Sequence, residues 1–270
     1  MRIAFIGGGV MAEAIIRGLL EKQLVSPDSI TASDINPERC QALAQKYNII
    51  TTADNKKALL SAENVILAVK PQALAEVLAE LKGRLDPQQL VLSIVAGTTI
   101  STISRGVEHE AIVRAMPNMP AQIGQGISVW TAAEAVDEEK RKVAQSILAA
   151  LGKEVYVPNE GYIDMATAVS GSGPAYVFLI IEALIDAAVH IGLPRSLAEE
   201  LVLETVLGSA ALAQSWRVHP AELRNMVTSP GGTTAEGLLE LERGGLRAIL
   251  DQAIKAAFEK AKRLGGETIR

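Results

Sequence analysis

Three groups of residues have the types and spacing to do chemistry. The first is Ile6-Gly7-Gly8-Gly9-Val10-Met11-Ala12, in which Gly7, Gly9 and Ala12 spell G-x-G-x-x-A. Gly7 permits a tight turn, Gly9 lets an anion reach the backbone, and Ala12 lets a helix lie close to a strand. The free N–H groups at the start of such a helix favour negative charge, so the pattern suits a pyrophosphate. The second is Lys70, followed by Pro71. The third is Ser229-Pro230-Gly231-Gly232-Thr233-Thr234, two glycines and two hydroxyl side chains ahead of an apolar helical pattern. Several N–H groups and hydroxyls at a helix start can hold a small carboxylate. Thr233 and Glu236 also have the spacing of a capping box, so the same residues read equally as a well-capped helix.

The pattern of the chain says what must position these groups. Ile3–Ile6 is a short apolar run of the buried parallel-strand kind, and the apolar face of Ala14–Leu20 follows the glycines as a helix. Strand, glycine turn and helix in that order is the context the motif requires. Ser29–Ser33 is the next strand, ending in Asp34 at the distance where an acidic residue meets an adenosine ribose. Asn36 is placed to cap a helix that starts at Pro37. Arg39 stands nearby, and a cation there can hold a ribose 2′-phosphate; Asp34 favours NADH and Arg39 favours NADPH. Further strands are expected at 48–51, 64–69, 89–95, 111–115, 126–130 and 154–157, with helices at 54–61 and 137–151. Alternation of this kind predicts a Rossmann-type, doubly wound α/β sheet over residues 1–158. Its strand ends at Ala68-Val69-Lys70, Ala96-Gly97 and Pro117-Asn118 are expected to line one rim, with the nicotinamide half of a dinucleotide beside them. Residues 159–270 lack convincing strands and read as helices at 163–191, 196–214, 220–226, 234–242 and 246–264: an all-α second domain.

Composition excludes several classes. Among 270 residues the net charge is −5 with no basic run, which argues against a nucleic-acid partner. The lone cysteine, Cys40, rules out an intrachain disulfide and a cysteine metal cluster, and fits a reduced thiol in the cytoplasm. The longest apolar run, Ala175–Ile181, is far short of a membrane span, and the glycines interrupt the apolar N-terminus, so a core strand is expected there and not a signal peptide. Glu182, Asp186 and His190 share one helix face, but a polar stripe of this kind is ordinarily a solvated face or an intersubunit line; no metal is expected. The small residues of Ser170-Gly171-Ser172-Gly173-Pro174 read either as a close helix approach with a break or restart at proline, or as a site lining.

Five segments taken together resemble the pyrroline-5-carboxylate reductases: Ile6-Gly-Gly-Gly-Val-Met-Ala12, Ala68-Val69-Lys70-Pro71, Arg114-Ala115-Met116-Pro117-Asn118, Ser170-Gly-Ser-Gly-Pro-Ala-Tyr176 and Ser229-Pro-Gly-Gly-Thr-Thr234. The similarity runs over essentially the whole chain. It implies NAD(P)H-dependent reduction of 1-pyrroline-5-carboxylate to L-proline, with NADPH slightly favoured by the family. It also implies a Rossmann domain followed by a helical dimerisation domain, interlocked in a homodimer, with a decamer as a larger form. The cofactor contacts it implies are Ile6, Gly7, Gly8, Gly9, Val10, Met11, Asp34, Asn36, Asn55, Val69, Lys70, Ala96 and Gly97. The implied substrate contacts are Glu160, Gly232, Thr233 and Thr234, with Thr234, Glu160 and Lys70 as the expected catalytic residues. Asp34 and Met226 depart from the family's pattern, the former against a strong NADPH preference. The alternatives are another imine or β-hydroxyacid dehydrogenase of the same architecture, or a non-catalytic dinucleotide sensor. The absence of lysine from Ala175–Ile191 counts against a hydroxyacid enzyme, because those enzymes place a lysine on that helix.

Overall fold

Short strands of three to seven residues, most of them apolar, stack side by side into one sheet. In the computed structural model, which describes residues 1–265, its order is β3-β2-β1-β4-β5-β6-β7-β8. These are β1 (Ile3–Ile6), β2 (Ile30–Ser33), β3 (Ile50–Thr52), β4 (Asn64–Leu67), β5 (Leu90–Ser93), β6 (Ile112–Met116), β7 (Gly126–Ala132) and β8 (Gly152–Tyr156). All pairings are parallel except β6 with β7. Helices α1 (Val10–Glu21), α2 (Pro37–Tyr47), α3 (Asn55–Leu59), α4 (Pro71–Leu81), α5 (Ile100–Val107) and α6 (Glu138–Ala149) fill the crossovers. The period of two decides the layers. Ile3 and Phe5 pack with α1 and α6 on one face of the sheet. Ala4 and Ile6 pack with α4 and α5 on the other.

Capping follows the sequence closely. Asn36 Oδ1 accepts the Glu38 N–H at 2.9 Å, with Pro37 in the first helical position. Asp54 caps α3 by accepting from the N–H groups of Lys56 and Lys57. Asp137 caps α6 by accepting from Lys140.

The chain divides into two compact units. One is Met1–Ser172 joined by the described residues from Ala257 onward; the other is Gly173–Ala256. The first holds the sheet and α7 (Gly161–Ala166). The second holds α8 (Gly173–His190), α9 (Arg195–Trp216), α10 (Pro220–Met226), α11 (Thr233–Arg243) and most of α12 (Leu246–Leu264). Residues 266–270, the end of the expected helical domain, lie outside the described residues.

Helix 163–191 is expected as one piece, but a π-helical turn over Thr167–Gly171 divides it, and α8 restarts at Gly173-Pro174. Proline carries no N–H, so a helix tolerates it at its first turn. The helical stretch Gly161–His190 is nonetheless long and apolar enough, by length and composition, to cross a membrane. The short run Ala175–Ile181 understates it, because Pro174 and Glu182 end the run while the mean hydropathy of the longer helical stretch stays at 1.6. In the chain alone, Phe178, Leu179 and Leu207 on α8 and α9 are more than half exposed. Contiguous apolar surface on this scale marks a face that another surface covers.

Candidate functional site

The register of the sheet builds the first half of the site. Ile6 pairs with Ser33 on one side and with Leu67 on the other. The next residues, Gly7, Asp34 and Ala68, therefore emerge together at one rim, where the strand order reverses between β1 and β4. In open α/β sheets this switch point is where ligands sit. Gly7 N–H donates to Ser33 O at 2.8 Å and holds φ +95°, a conformation that suits glycine. A Cβ on Gly7 would stand 2.9 Å from Ala68 O. Gly9, by contrast, has ordinary φ and nothing within 4 Å of the position of a Cβ. It is the N-cap of α1, with no side chain of its own to satisfy the first N–H groups of the helix. Ala12 is fully buried between that helix and the sheet.

A cleft of about 450 Å³ opens there, lined by Gly7, Gly9, Asp34, Asn55, Val69 and Lys70 among the expected residues. Ser33, Ile35, Ala68, Ala73, Glu76, Val77 and Glu80 complete its lining. Asn55 is held by the Ser33 hydroxyl, which sits 2.7 Å from Asn55 Oδ1, and it donates to Glu80 Oε2 at 2.7 Å. Lys70 is exposed on the rim as the N-cap residue of α4. Asp34 accepts the N–H groups of Gly8 and Asn36, each at 2.9 Å.

Other expected cofactor residues stand apart from this lining. Ile6 is buried in the sheet, Gly8 lies behind the turn, and Val10, Met11 and Asn36 belong to the adjoining helix starts. Ala96 and Gly97 follow β5, and there the end of α12 packs on Gly97: a Cβ would stand 3.2 Å from the Leu264 carbonyl carbon.

Glu160 is placed by a cluster with no role in the sequence reading. Arg114, in the middle of β6 and 1% exposed, donates from Nη1 to Glu160 Oε1 at 2.9 Å and from Nη2 to Asp164 Oδ1 at 2.6 Å. Glu160 Oε1 also accepts the Ile100 N–H at 2.7 Å. One oxygen of Glu160 is thus committed to two donors. The signal was present: an arginine inside Ile112-Val-Arg-Ala-Met116 is a charge in a buried strand, and a buried charge demands partners.

Gly232, Thr233 and Thr234 lie in the other compact unit. Gly232 is the N-cap of α11, and Thr233 and Thr234 form its first turn. The expected Thr233–Glu236 capping box does not form, because Thr233 is already inside the helix and the cap residue has no side-chain oxygen. The N–H groups of Thr233 and Thr234 therefore have no intrahelical acceptors, and their hydroxyls cap nothing. Gly231 reaches φ +67°, and Gly232 N–H closes the preceding turn on Ser229 O at 3.1 Å.

Comparisons with known proteins show the family and the fold. A family model described as pyrroline-5-carboxylate reductase dimerisation matches residues 160–264. One described as NADP oxidoreductase coenzyme F420-dependent matches residues 2–97. The chain is 43% identical over 265 residues to a pyrroline-5-carboxylate reductase of Synechocystis, covering 98% of each. It superposes on a solved pyrroline-5-carboxylate reductase from Coxiella burnetii with a TM-score of 0.89 at 40% identity, covering 99% of both chains. On the Plasmodium falciparum pyrroline carboxylate reductase with NADP bound the TM-score is 0.90 at 31% identity, covering 98% of both. Identities of this size over nearly the whole length place the chain in the pyrroline-5-carboxylate reductase family.

Proposed function

We propose that this chain reduces 1-pyrroline-5-carboxylate to L-proline with a nicotinamide nucleotide, NADPH or NADH, as the last step of proline synthesis. The observation that carries this is the open glycine turn. Gly9 presents bare backbone to the cleft at the start of α1, with room where a side chain would stand. That cradle fits a pyrophosphate, with Asp34 and Asn55 on the adenosine side and Val69 and Lys70 toward the nicotinamide. When bound, the reduced nicotinamide supplies a hydride to the C=N carbon of the substrate.

The chain's own residues hold and polarise that substrate. The free N–H groups of Thr233 and Thr234, with their hydroxyls, receive its carboxylate at the Gly232 turn. Protonation of the ring nitrogen makes the neighbouring carbon electrophilic, and a carboxylate beside it stabilises that charge. Glu160 takes this role through its Oε2, since Oε1 is committed to Arg114 and Ile100. The proton comes from water or from the Thr234 hydroxyl. A substrate held by its carboxylate presents its reacting carbon in one orientation, and positioning of this kind supplies much of the rate.

Two copies pair through the helical segment, covering the apolar faces of α8 and α9. Sedimentation distinguishes that dimer from a decamer built of such dimers. The single thiol, Cys40, suits a reducing cytoplasm. The direct test is oxidation of NADH and NADPH by the purified chain with pyrroline-5-carboxylate at neutral pH. Turnover with either supports the reading; binding of nucleotide without turnover refutes it.

A further inference from the structure

The two side chains that compete for the adenosine ribose both contact the backbone of Gly8. Gly8 N–H donates to Asp34 Oδ2 at 2.9 Å, and Arg39 Nε donates to the Gly8 carbonyl oxygen. Their contacts differ. Asp34 lines the cleft, whereas Arg39 lies along the glycine turn, its Nη2 also donating to the Gly9 carbonyl oxygen at 3.4 Å.

Arg39 is held elsewhere by Glu13, a residue of the first turn of α1. Arg39 Nη2 donates to Glu13 Oε2, and the other oxygen of Glu13 accepts from Lys46 Nζ at 2.8 Å and Tyr47 Oη at 2.9 Å. Glu13, Lys46 and Tyr47 line a separate hollow together with Val10 and Arg17. Arg39 and Glu13 are each about three-quarters shielded from water, at 26% and 22% side-chain exposure. Burial works against the charge on Glu13, but the hydrogen bonds from Lys46, Arg39 and Tyr47 outweigh it and hold the carboxyl at about 2. The clamp is therefore fully charged at any working pH.

A ribose 2′-phosphate needs a cation, and it needs the neighbouring carboxylate to be absent or offset. Here the cation is engaged and the carboxylate faces the cleft. We infer that Glu13 sets the nucleotide choice: by holding Arg39 out of the cleft it withholds the partner of a 2′-phosphate and leaves Asp34 to receive a free ribose diol, so the chain favours NADH over NADPH. Glu13 and Arg39 are specificity-determining residues that act through the Gly8 turn. The inference rests on the reading of the cleft as a dinucleotide site.

The test compares kcat/KM for NADH and NADPH in the wild type, Glu13→Gln and Arg39→Met. Calorimetric titrations of adenosine 5′-monophosphate and adenosine 2′,5′-bisphosphate run in parallel. The wild type is expected to prefer NADH. Arg39→Met loses the Gly8 contact, so both nucleotides weaken by the same factor. Glu13→Gln frees Arg39, and the NADPH-to-NADH ratio rises about tenfold, the worth of one charge-assisted hydrogen bond. The bisphosphate gains affinity over the monophosphate to match. A selective loss of NADPH in Arg39→Met overturns the inference, because Arg39 would then already hold the phosphate. Wild-type preference for NADPH overturns it too, as does an unchanged ratio in a folded Glu13→Gln. Should Glu13→Gln fail to fold, Arg39→Met decides alone. If the wild type binds neither nucleotide nor monophosphate, the reading of the cleft fails, and this inference with it.

Discussion

Gly7 and Gly9 belong to one motif yet are glycine for different reasons, and replacing each by alanine separates fold from binding. Alanine at Gly7 must adopt φ +95° with its Cβ 2.9 Å from Ala68 O. A non-glycine residue in such a conformation costs about 1–3 kcal/mol. The clash with β4 backbone, which cannot move without disturbing the sheet, raises the total to roughly 3–4 kcal/mol. At about 2–4 °C per kcal/mol for a domain of this size, Gly7→Ala lowers Tm by roughly 6–16 °C. Alanine at Gly9 keeps an ordinary φ and meets no atom within 4 Å. Its only structural cost is a poorer N-cap, about 0.5 kcal/mol, or 1–2 °C. The added methyl projects where the pyrophosphate must approach, so nucleotide affinity falls at least about tenfold, corresponding to 1.4 kcal/mol. Thermal unfolding and nucleotide titration of both variants measure the two effects. A Gly9→Ala protein that binds nucleotide as tightly as the wild type would refute the placement of the pyrophosphate. A Gly7→Ala protein with unchanged Tm would refute the argument from backbone strain.

Thr234→Ala removes one hydroxyl from the proposed carboxylate receptor; the KM for pyrroline-5-carboxylate is expected to rise roughly tenfold, from a hydrogen bond to a charged group worth about 1.5 kcal/mol, with nucleotide KM unchanged. Arg114→Met strands Glu160 and Asp164 beside a buried strand, at a cost of about 3–5 kcal/mol; differential scanning calorimetry should show the loss, and turnover should fall with it. Glu13 contributes stability that is fully present above its ordinary value of 4.5 and lost as pH falls toward about 2. Acid unfolding of Glu13→Gln should therefore differ from the wild type at neutral pH and converge with it near pH 2, the gap staying below about 3 kcal/mol because the cluster is partly screened by solvent. Leu207→Glu places a charge on the exposed apolar face of α9, and sedimentation should show the proposed dimer shifting to monomer.

Much of the fold was legible because local rules and the global fold agree. Apolar runs before glycine or proline became strands, and Asn36-Pro37 began its helix with the expected cap. The boundaries that moved did so where tertiary contacts decide: β7 extends to Ala132 because it pairs antiparallel with β6, an edge the sequence pattern leaves unmarked. The Thr233–Glu236 spacing promised a capping box, yet the Pro230-Gly231-Gly232 turn starts the helix one residue earlier, which leaves the two threonine N–H groups unused.

What the sequence determined by itself was the order of strands and helices along the chain, the glycine turn at Gly7–Gly9 and the presence of a helix after Gly231-Gly232, since these depend on neighbours within a few residues. Only the tertiary structure decided which charges meet. Arg114 lies far along the chain from Glu160 and Asp164, and Glu13 far from Arg39 and Lys46. Sheet register and helix packing bring them within hydrogen-bond distance, and no periodicity encodes a pairing across tens of residues. The same physics separated Asp34 from Arg39. By sequence they are rivals for one ribose, whereas in the folded chain one faces the cleft and the other is locked to Glu13.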